Sequence, residues 1–399
     1  MHGNGGIRMK ITDIKATSIE GNFEWIIVEI QTDEGITGIG ESFTGVGVKE
    51  SFYSECSHGV DVKEIWSIKN ILIGEDPRNV ERLSRKLYTS LSGIVGHAGT
   101  LIHVISGVEM ALWDLTGKAL DVPIYRLLGG KYRDKIRVYA DCHAGKSEDP
   151  QSWAERAKEV KSKGFTALKF DVDKPSHRGP SYNRCLSNSE IKLMVKQVEA
   201  VREAIGDDVD LAIDCHWKYN TNDAIKLANA LEPYNPWWLE DPVPQENSEA
   251  MKKVTDSTNT PICTGENLYT KYGFRDLIVN QAADIVAPDI SKVGGLMETK
   301  KIAELADLYY ISVAPHNICS PIGTVAACHV CATIPNFIAL EFHAIDVPWW
   351  AKLIKKGSQL IEEGYIKVPE EPGLGIEINE DEIVKHLKRG AENLWNKRK

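Results

Sequence analysis

After Gly130 the chain settles into one rhythm. A short run rich in β-branched and aromatic residues is followed by a polar turn and an amphipathic stretch at helical spacing, and then the next run begins. Eight runs follow this pattern: IRVYADCH, FTALKFD, DVDLAIDCH, PWWLED, TPICTGEN, ADIVAPDI, YISVAPHN and FIALEFH. Runs separated by helices belong to a parallel sheet, because a parallel connection needs a crossover that spans the sheet. Eight units in about 215 residues is the length of a closed β/α barrel, whereas an open doubly wound sheet has fewer strands. The expected fold is therefore α/β, a (β/α)8-type barrel over 134–345.

Before the barrel the pattern differs. EWIIVEIQT turns through DEG into ITGIGE, as antiparallel strands joined by a glycine turn do, and VISGVEMALWDLTGKAL is helical up to Gly129 and Gly130. An α+β domain is expected over 1–133. The tail, 346–399, ends in DEIVKHLKRGAENLWNK and is expected to fold back on that first domain. The polar stretch 173–188, after the second run, is placed over the barrel mouth.

Hydrophobic residues at 42% and charged residues at 26% are those of an ordinary globular protein. No run approaches the roughly 18 apolar residues of a membrane span, and MHGNGGIRMK lacks a secretory apolar region, so a cytoplasmic location is expected. The net charge of −10, with Lys and Arg scattered among acids, argues against nucleic acid as a partner. The eight cysteines are dispersed in apolar runs, as unpaired thiols in a reducing compartment are. Cys328 and Cys331 flank His329 without a second ligand pair at zinc spacing, so packing is the expected role.

In such a barrel the strand ends converge on one mouth, and reactive side chains come from several strands. Lys169, Asp214, Glu240, Glu266, Asp289, His316 and Glu341 close the runs, and from Asp214 onward they are 26, 26, 23, 27 and 25 residues apart, one βα unit each time. One strand-end acid alone would be read as a helix cap or an ion-pair partner. Asp214, Glu240 and Glu266 on consecutive strands are instead a cluster that repels itself unless a cation binds. All-oxygen ligation favours Mg²⁺, with Mn²⁺ as a substitute, over zinc. Asp289 and His316 end adjacent strands, so the carboxylate can orient the imidazole and raise its pKa, which makes a base. His216 lies two residues past Asp214 and faces the same way if the strand persists; it is read as a general acid or an outer hydrogen-bond donor. For Glu341, substrate binding and a salt bridge to Lys169 stay open. Trp237, Trp238, Trp349 and Trp350 are expected to pack the core or rim.

TDEGITGIGE and VEMALWDLTGKALDVPIYRLLGG, followed by DCHW, WLEDP, TGEN, APDISKVGG, APHN and ALEFH in that order, resemble the mandelate racemase branch of the enolase superfamily along nearly the whole chain. In that superfamily a Lys or His base works with Mg²⁺. The resemblance implies that 1–133 is a capping domain, that Asp214, Glu240 and Glu266 ligate Mg²⁺, and that the metal holds the substrate carboxylate and stabilises an enediolate. It further implies Asp289 and His316 as the base dyad and Glu341 as a hydrogen-bond donor to that carboxylate, with Lys169 and Asp171 beside the substrate. Racemases and cycloisomerases of the family carry Lys-x-Lys at the second strand end; here the residues are Lys169, Phe170 and Asp171. With the opposite base missing, and with Asp214 and His216 resembling the galactonate and mannonate dehydratases, the expected reaction is loss of water from an aldonic acid to give a 2-keto-3-deoxy acid. His316 would take the C2 proton and His216 would protonate the leaving 3-hydroxyl, by syn or anti elimination. Gluconate and galactonate come first as substrates, then arabinonate, fuconate and mannonate. The alternatives are an epimerase using His316 opposite Lys169 or a base from the 173–188 stretch, and a catalytically silent metal-binding barrel with an assembly or regulatory role. A homo-oligomer, dimer or octamer, is expected.

Overall fold

The structure is a computed structural model that describes residues 9–57, 65–145, 147–172, 182–357 and 360–395. Most of the polar stretch expected over the mouth, 173–181, lies outside the described residues.

Strands β1 (Ile11–Glu20), β2 (Glu24–Thr32) and β3 (Thr37–Ser42) form an antiparallel meander. After it come helix α1 (Val48–Ser51), a ribbon of β4 (Cys56–Ser57) and β5 (Ile65–Trp66), and helices α2 (Ile68–Leu72), α3 (Val80–Val95), α4 (Thr100–Leu120) and α5 (Ile124–Leu127). Helix α4 is buried from Leu101 to Gly117. It lies against β3 so closely that a Cβ at Gly40 would stand 2.3 Å from the Gly107 carbonyl oxygen, and one at Gly38 2.1 Å from that of Ala111. The alternating glycines of TGIGE are what permit this contact.

The barrel strands are β6 (Lys135–Cys142), β7 (Ala167–Asp171), β8 (Asp210–Asp214), β9 (Leu239–Glu240), β10 (Ile262–Thr264), β11 (Ile285–Val286), β12 (Ser312–Val313) and β13 (Leu340–Phe342). Each pairs in parallel with the next from β6 to β12, and β13 pairs in parallel with β6. Bonds from Ile338 N to Val313 O at 3.0 Å and from Glu341 N to Pro315 O at 3.2 Å join the remaining edge and close the circle. The outer helices are α6 (Pro150–Ser162), α7 (Asn188–Ile205), α8 (Thr221–Leu231), α9 (Ser248–Thr255), α10 (Thr270–Val279), α11 (Leu296–Asp307) and α12 (Pro321–Ala332). Local sequence starts them: Asp149 before Pro150 caps α6, and Ser187 with Glu190 forms a capping box on α7. Inside the barrel, Tyr139 and Trp238 fill the space among Ala167, Ala212, Cys263 and Ala314, a packed floor beneath the mouth.

The tail adds β14 (Tyr365–Lys367), antiparallel to β6, and helix α13 (Glu380–Lys385). It also meets the first sheet, with Glu20 N bonded to His386 O and Lys388 N to Ser18 O, both at 2.9 Å. All eight cysteines are free; six are buried, and Cys56 and Cys185 are exposed. His329 accepts from Tyr125 N at 3.3 Å and bonds Leu374 O at 3.1 Å, so both its nitrogens serve packing. Among the described residues, no helix is long and apolar enough to cross a membrane.

Candidate active site

Parallel register sets Asp171, Asp214 and Glu240 side by side at the ends of β7, β8 and β9. Glu266 follows two residues after β10, where the chain turns inward at Gly265 with φ 134°. Asp214, Glu240 and Glu266 are buried, and each offers a carboxylate oxygen within 4.8 Å of the other two. Burial pushes Glu240 up to about 8, with Lys169 opposing and Asp214, Glu341 and Glu266 adding to the rise. Trp238 donates from its indole nitrogen to Glu240 Oε2 at 2.8 Å and fixes that carboxylate from the floor.

Lys169 stands inside this ring, 3.0 Å from each of Asp214 Oδ2, Glu240 Oε1 and Glu341 Oε1 and 3.6 Å from Asp141 Oδ2. Burial works against its charge, but Glu240, Glu341 and Asp214 overcome that and hold it protonated. Of the two roles left open for Glu341, the salt bridge to Lys169 is present. It also accepts from Tyr139 Oη at 3.2 Å and from Asn317 N at 3.3 Å. Burial favours the neutral acid, yet Lys169 and His316 hold Glu341 well below the usual carboxylate range. In this arrangement Glu341 accepts; to donate to a substrate carboxylate it must first take up a proton.

On the far side His316 Nδ1 lies 2.6 Å from Asp289 Oδ2, and its Nε2 points inward, 3.4 Å from Glu266 Oε2 and 4.0 Å from Glu341 Oε2. Asp289 Oδ1 accepts from Ser291 N at 2.8 Å and Ser291 Oγ at 2.6 Å. Burial lowers the His316 pKa, but Glu266, Glu341 and Asp289 raise it to about 10.

His216 does not sit on the strand. β8 ends at Asp214, and His216 and Trp217 adopt left-handed φ of 46° and 52°. Asp214 Oδ1 accepts from His216 N at 2.8 Å, a local turn that competes with the ladder. The ring nonetheless returns toward the cluster, with Nδ1 3.8 Å from Asp214 Oδ1. Asp171, Asp214 and His216 form a second group of possible ligand atoms. Burial would lower the His216 pKa, but Asp214, Asp171 and Glu266 lift it to about 9.

The donor set suits a hard divalent cation: three carboxylates converge under burial, and the lysine beside them is shared with Glu341 and Asp141. Asp141, Tyr139, Trp238 and His343 also shape the mouth, and His343 Nε2 lies 3.6 Å from Asp141 Oδ2. Asp141 stands level with Lys169 on the neighbouring strand, one βα unit before it, so the strand-end step could have found it; Tyr139 and Trp238 carry no charge and His343 lies two residues past Glu341, so that step does not expose them. The first domain reaches the mouth at Asn22 and at Phe43. Asn22 Nδ2 bonds His343 Nδ1 at 2.9 Å, and the Phe43 ring stands 6.3 Å from that of His316 and 4.5 Å from Lys292 Nζ.

Two family descriptions match the chain: "Mandelate racemase / muconate lactonizing enzyme, N-terminal domain" over residues 9–129 and "Enolase C-terminal domain-like" over 152–382. A D-xylonate dehydratase of Haloferax volcanii is 47% identical over 389 residues, covering 97% of this chain and 91% of the relative. A D-gluconate/D-galactonate dehydratase of Picrophilus torridus is 32% identical, covering 92% of this chain and 89% of its own. A solved mandelate racemase/muconate lactonizing enzyme-like protein of Rubrobacter xylanophilus superposes with TM-score 0.89 at 40% identity, over 96% of this chain and 99% of its own. With those matches along both domains, the chain belongs to the mandelate racemase and muconate lactonizing enzyme family of the enolase superfamily, on its acid-sugar dehydratase branch.

Proposed function

We propose that the chain dehydrates an aldonic acid to its 2-keto-3-deoxy acid with Mg²⁺, or Mn²⁺ in its place, held by Asp214, Glu240 and Glu266. The observation that carries this is one juxtaposition: the three-carboxylate cluster has the Asp289–His316 pair on one side and His216 on the other. A bound divalent cation would supply positive charge that draws the substrate carboxylate, stabilises the charge left when the C2 proton departs and offsets the field that keeps His316 protonated. Lys169 would pair with that carboxylate, and Glu341 would donate to it after taking up a proton. His316 Nε2 takes the C2 proton while Asp289 holds the ring by Nδ1. His216 gives a proton to the 3-hydroxyl as the C3–O bond breaks, with Asp171 beside it, and the enol left after water departs ketonises.

Epimerisation needs a second base on the opposite face, and Lys169 is a poor one, since its ammonium is locked among carboxylates at 3.0 Å. Among substrates D-xylonate now comes first, because the D-xylonate dehydratase is 47% identical; gluconate and galactonate follow. It was not among the acids expected from the sequence. We propose as well a cytoplasmic homo-oligomer, dimer or octamer, with a capping domain at 1–133, a barrel at 134–345 and the tail at 346–399. Incubation with five- and six-carbon aldonates and Mg²⁺, followed by semicarbazide detection of keto acid, tests the proposal. Keto acid from xylonate is expected; no keto acid from any of them would refute it.

A further inference from the structure

Glu41, at the end of β3, and Phe43, just beyond it, belong to the first domain, yet they are bonded to the segments that carry both halves of the base dyad. Glu41 is 1% exposed and reaches across to the start of α12. Its Oε1 accepts from Ser320 N at 2.9 Å, and its Oε2 from Ser320 Oγ at 2.5 Å and Gly323 N at 3.0 Å. Ser320 ends the short segment that begins at His316. That segment is pinned further by Trp25 Nε1 donating to Ile318 O at 2.8 Å and Trp350 Nε1 donating to Cys319 O at 3.0 Å. Two residues after Glu41, Phe43 N donates to Ser291 O at 2.9 Å. Ser291 is the residue that gives two hydrogen bonds to Asp289 Oδ1, and Asp289 Oδ2 holds His316.

The strand end is thus bonded to the chain four residues beyond the imidazole and to the residue that orients its carboxylate partner. Each half of the dyad rises from a turn beyond a strand of two residues, so the barrel ladder alone does not fix either of them. We infer that Glu41 is a positioning residue: through Ser320 it sets where His316 stands relative to Asp289, so that the first domain aligns the base as well as covering the mouth. The inference rests on His316 being the base.

The test uses Glu41→Gln in the full chain, with fold checked by circular dichroism. Gln keeps the size but turns an amide donor toward Ser320 or Gly323, which themselves donate. Misplacing a base by a fraction of an ångström is expected to lower kcat roughly tenfold to a hundredfold. KM and Mg²⁺ affinity should stay close to those of the parent enzyme. The deuterium isotope effect from C2-deuterated substrate should rise, since proton removal would become slower than later steps. A smaller active fraction lowers kcat without moving that isotope effect, so the two causes separate. Should Glu41→Gln not fold, Ser320→Ala removes the hydroxyl bond to Glu41 and is expected to change kcat and the isotope effect in the same direction. A folded variant with unchanged kcat and isotope effect overturns the inference, as does a loss confined to KM or metal affinity. His316→Asn is assayed beside them: if it keeps C2 exchange, the base assignment fails, whereas an inactive His316→Asn with unaffected Glu41 and Ser320 variants refutes the positioning role alone.

Discussion

Replacing Glu240 with Gln removes a charge that Lys169 and a divalent cation would share, and metal affinity and turnover should both collapse; calorimetric titration with Mg²⁺ checks the first. Trp238→Phe keeps the aromatic floor but removes the donor to Glu240, and a tenfold to hundredfold loss of metal affinity is expected, about the cost of losing a hydrogen bond to a ligand. His216→Asn should keep C2 proton removal and lose about 10² to 10⁴ in keto-acid formation, the range for a general acid. In deuterium oxide that variant should exchange the C2 hydrogen faster than it forms product, and near-native dehydration would exclude His216 as the acid. The charged residues of the mouth were legible because a regular step of one βα unit separates them. Lys169 was harder to read: its sequence neighbours say nothing of the carboxylates from β6, β8, β9 and β13 that surround it.

Among the elements, the eight-run rhythm corresponds to eight parallel strands, but β9, β11 and β12 are only two residues long. The apolar runs continue past the ladder because the turns that aim Glu266, Asp289 and His316 inward are buried too. For the same reason alternation along β8 did not predict the left-handed turn that carries His216. The tail was read as holding a short strand-like piece, and β14 is that piece, but its partner was not legible: three residues between turns carry no period, and β14 pairs with Lys135–Arg137 at the start of β6. β3 makes its own prediction. Gly40→Ala drives a methyl into the Gly107 carbonyl at 2.3 Å, and a loss of about 1–3 kcal/mol is expected from overpacking, seen as a lower Tm. An unchanged Tm would mean that α4 can move away from the sheet.

For the whole molecule, His329 ties together three stretches of chain: its own helix α12, Tyr125 after α4, and Leu374 in the tail. Burial lowers its pKa from 6.5 to about 4, ahead of the opposing pull of the Leu374 carbonyl. The folded state therefore binds fewer protons than the unfolded state between those values. The stability this histidine contributes is fully present above about 6.5 and is lost as pH falls toward 4. Urea unfolding at pH 7 and pH 5 should show a larger loss for the parent protein than for His329→Gln; equal losses would exclude His329 as the group responsible. The proposed reaction removes a C2 proton and expels the 3-hydroxyl of an aldonic acid at one mouth, lined by the first domain and the barrel. The most direct test is proton NMR of D-xylonate turnover in deuterium oxide with Mg²⁺ present and then removed by EDTA. A 2-keto-3-deoxy acid carrying deuterium at C3, formed only with the metal, is expected. Deuterium appearing at C2 of recovered xylonate or its epimer, with no keto acid formed, would contradict it.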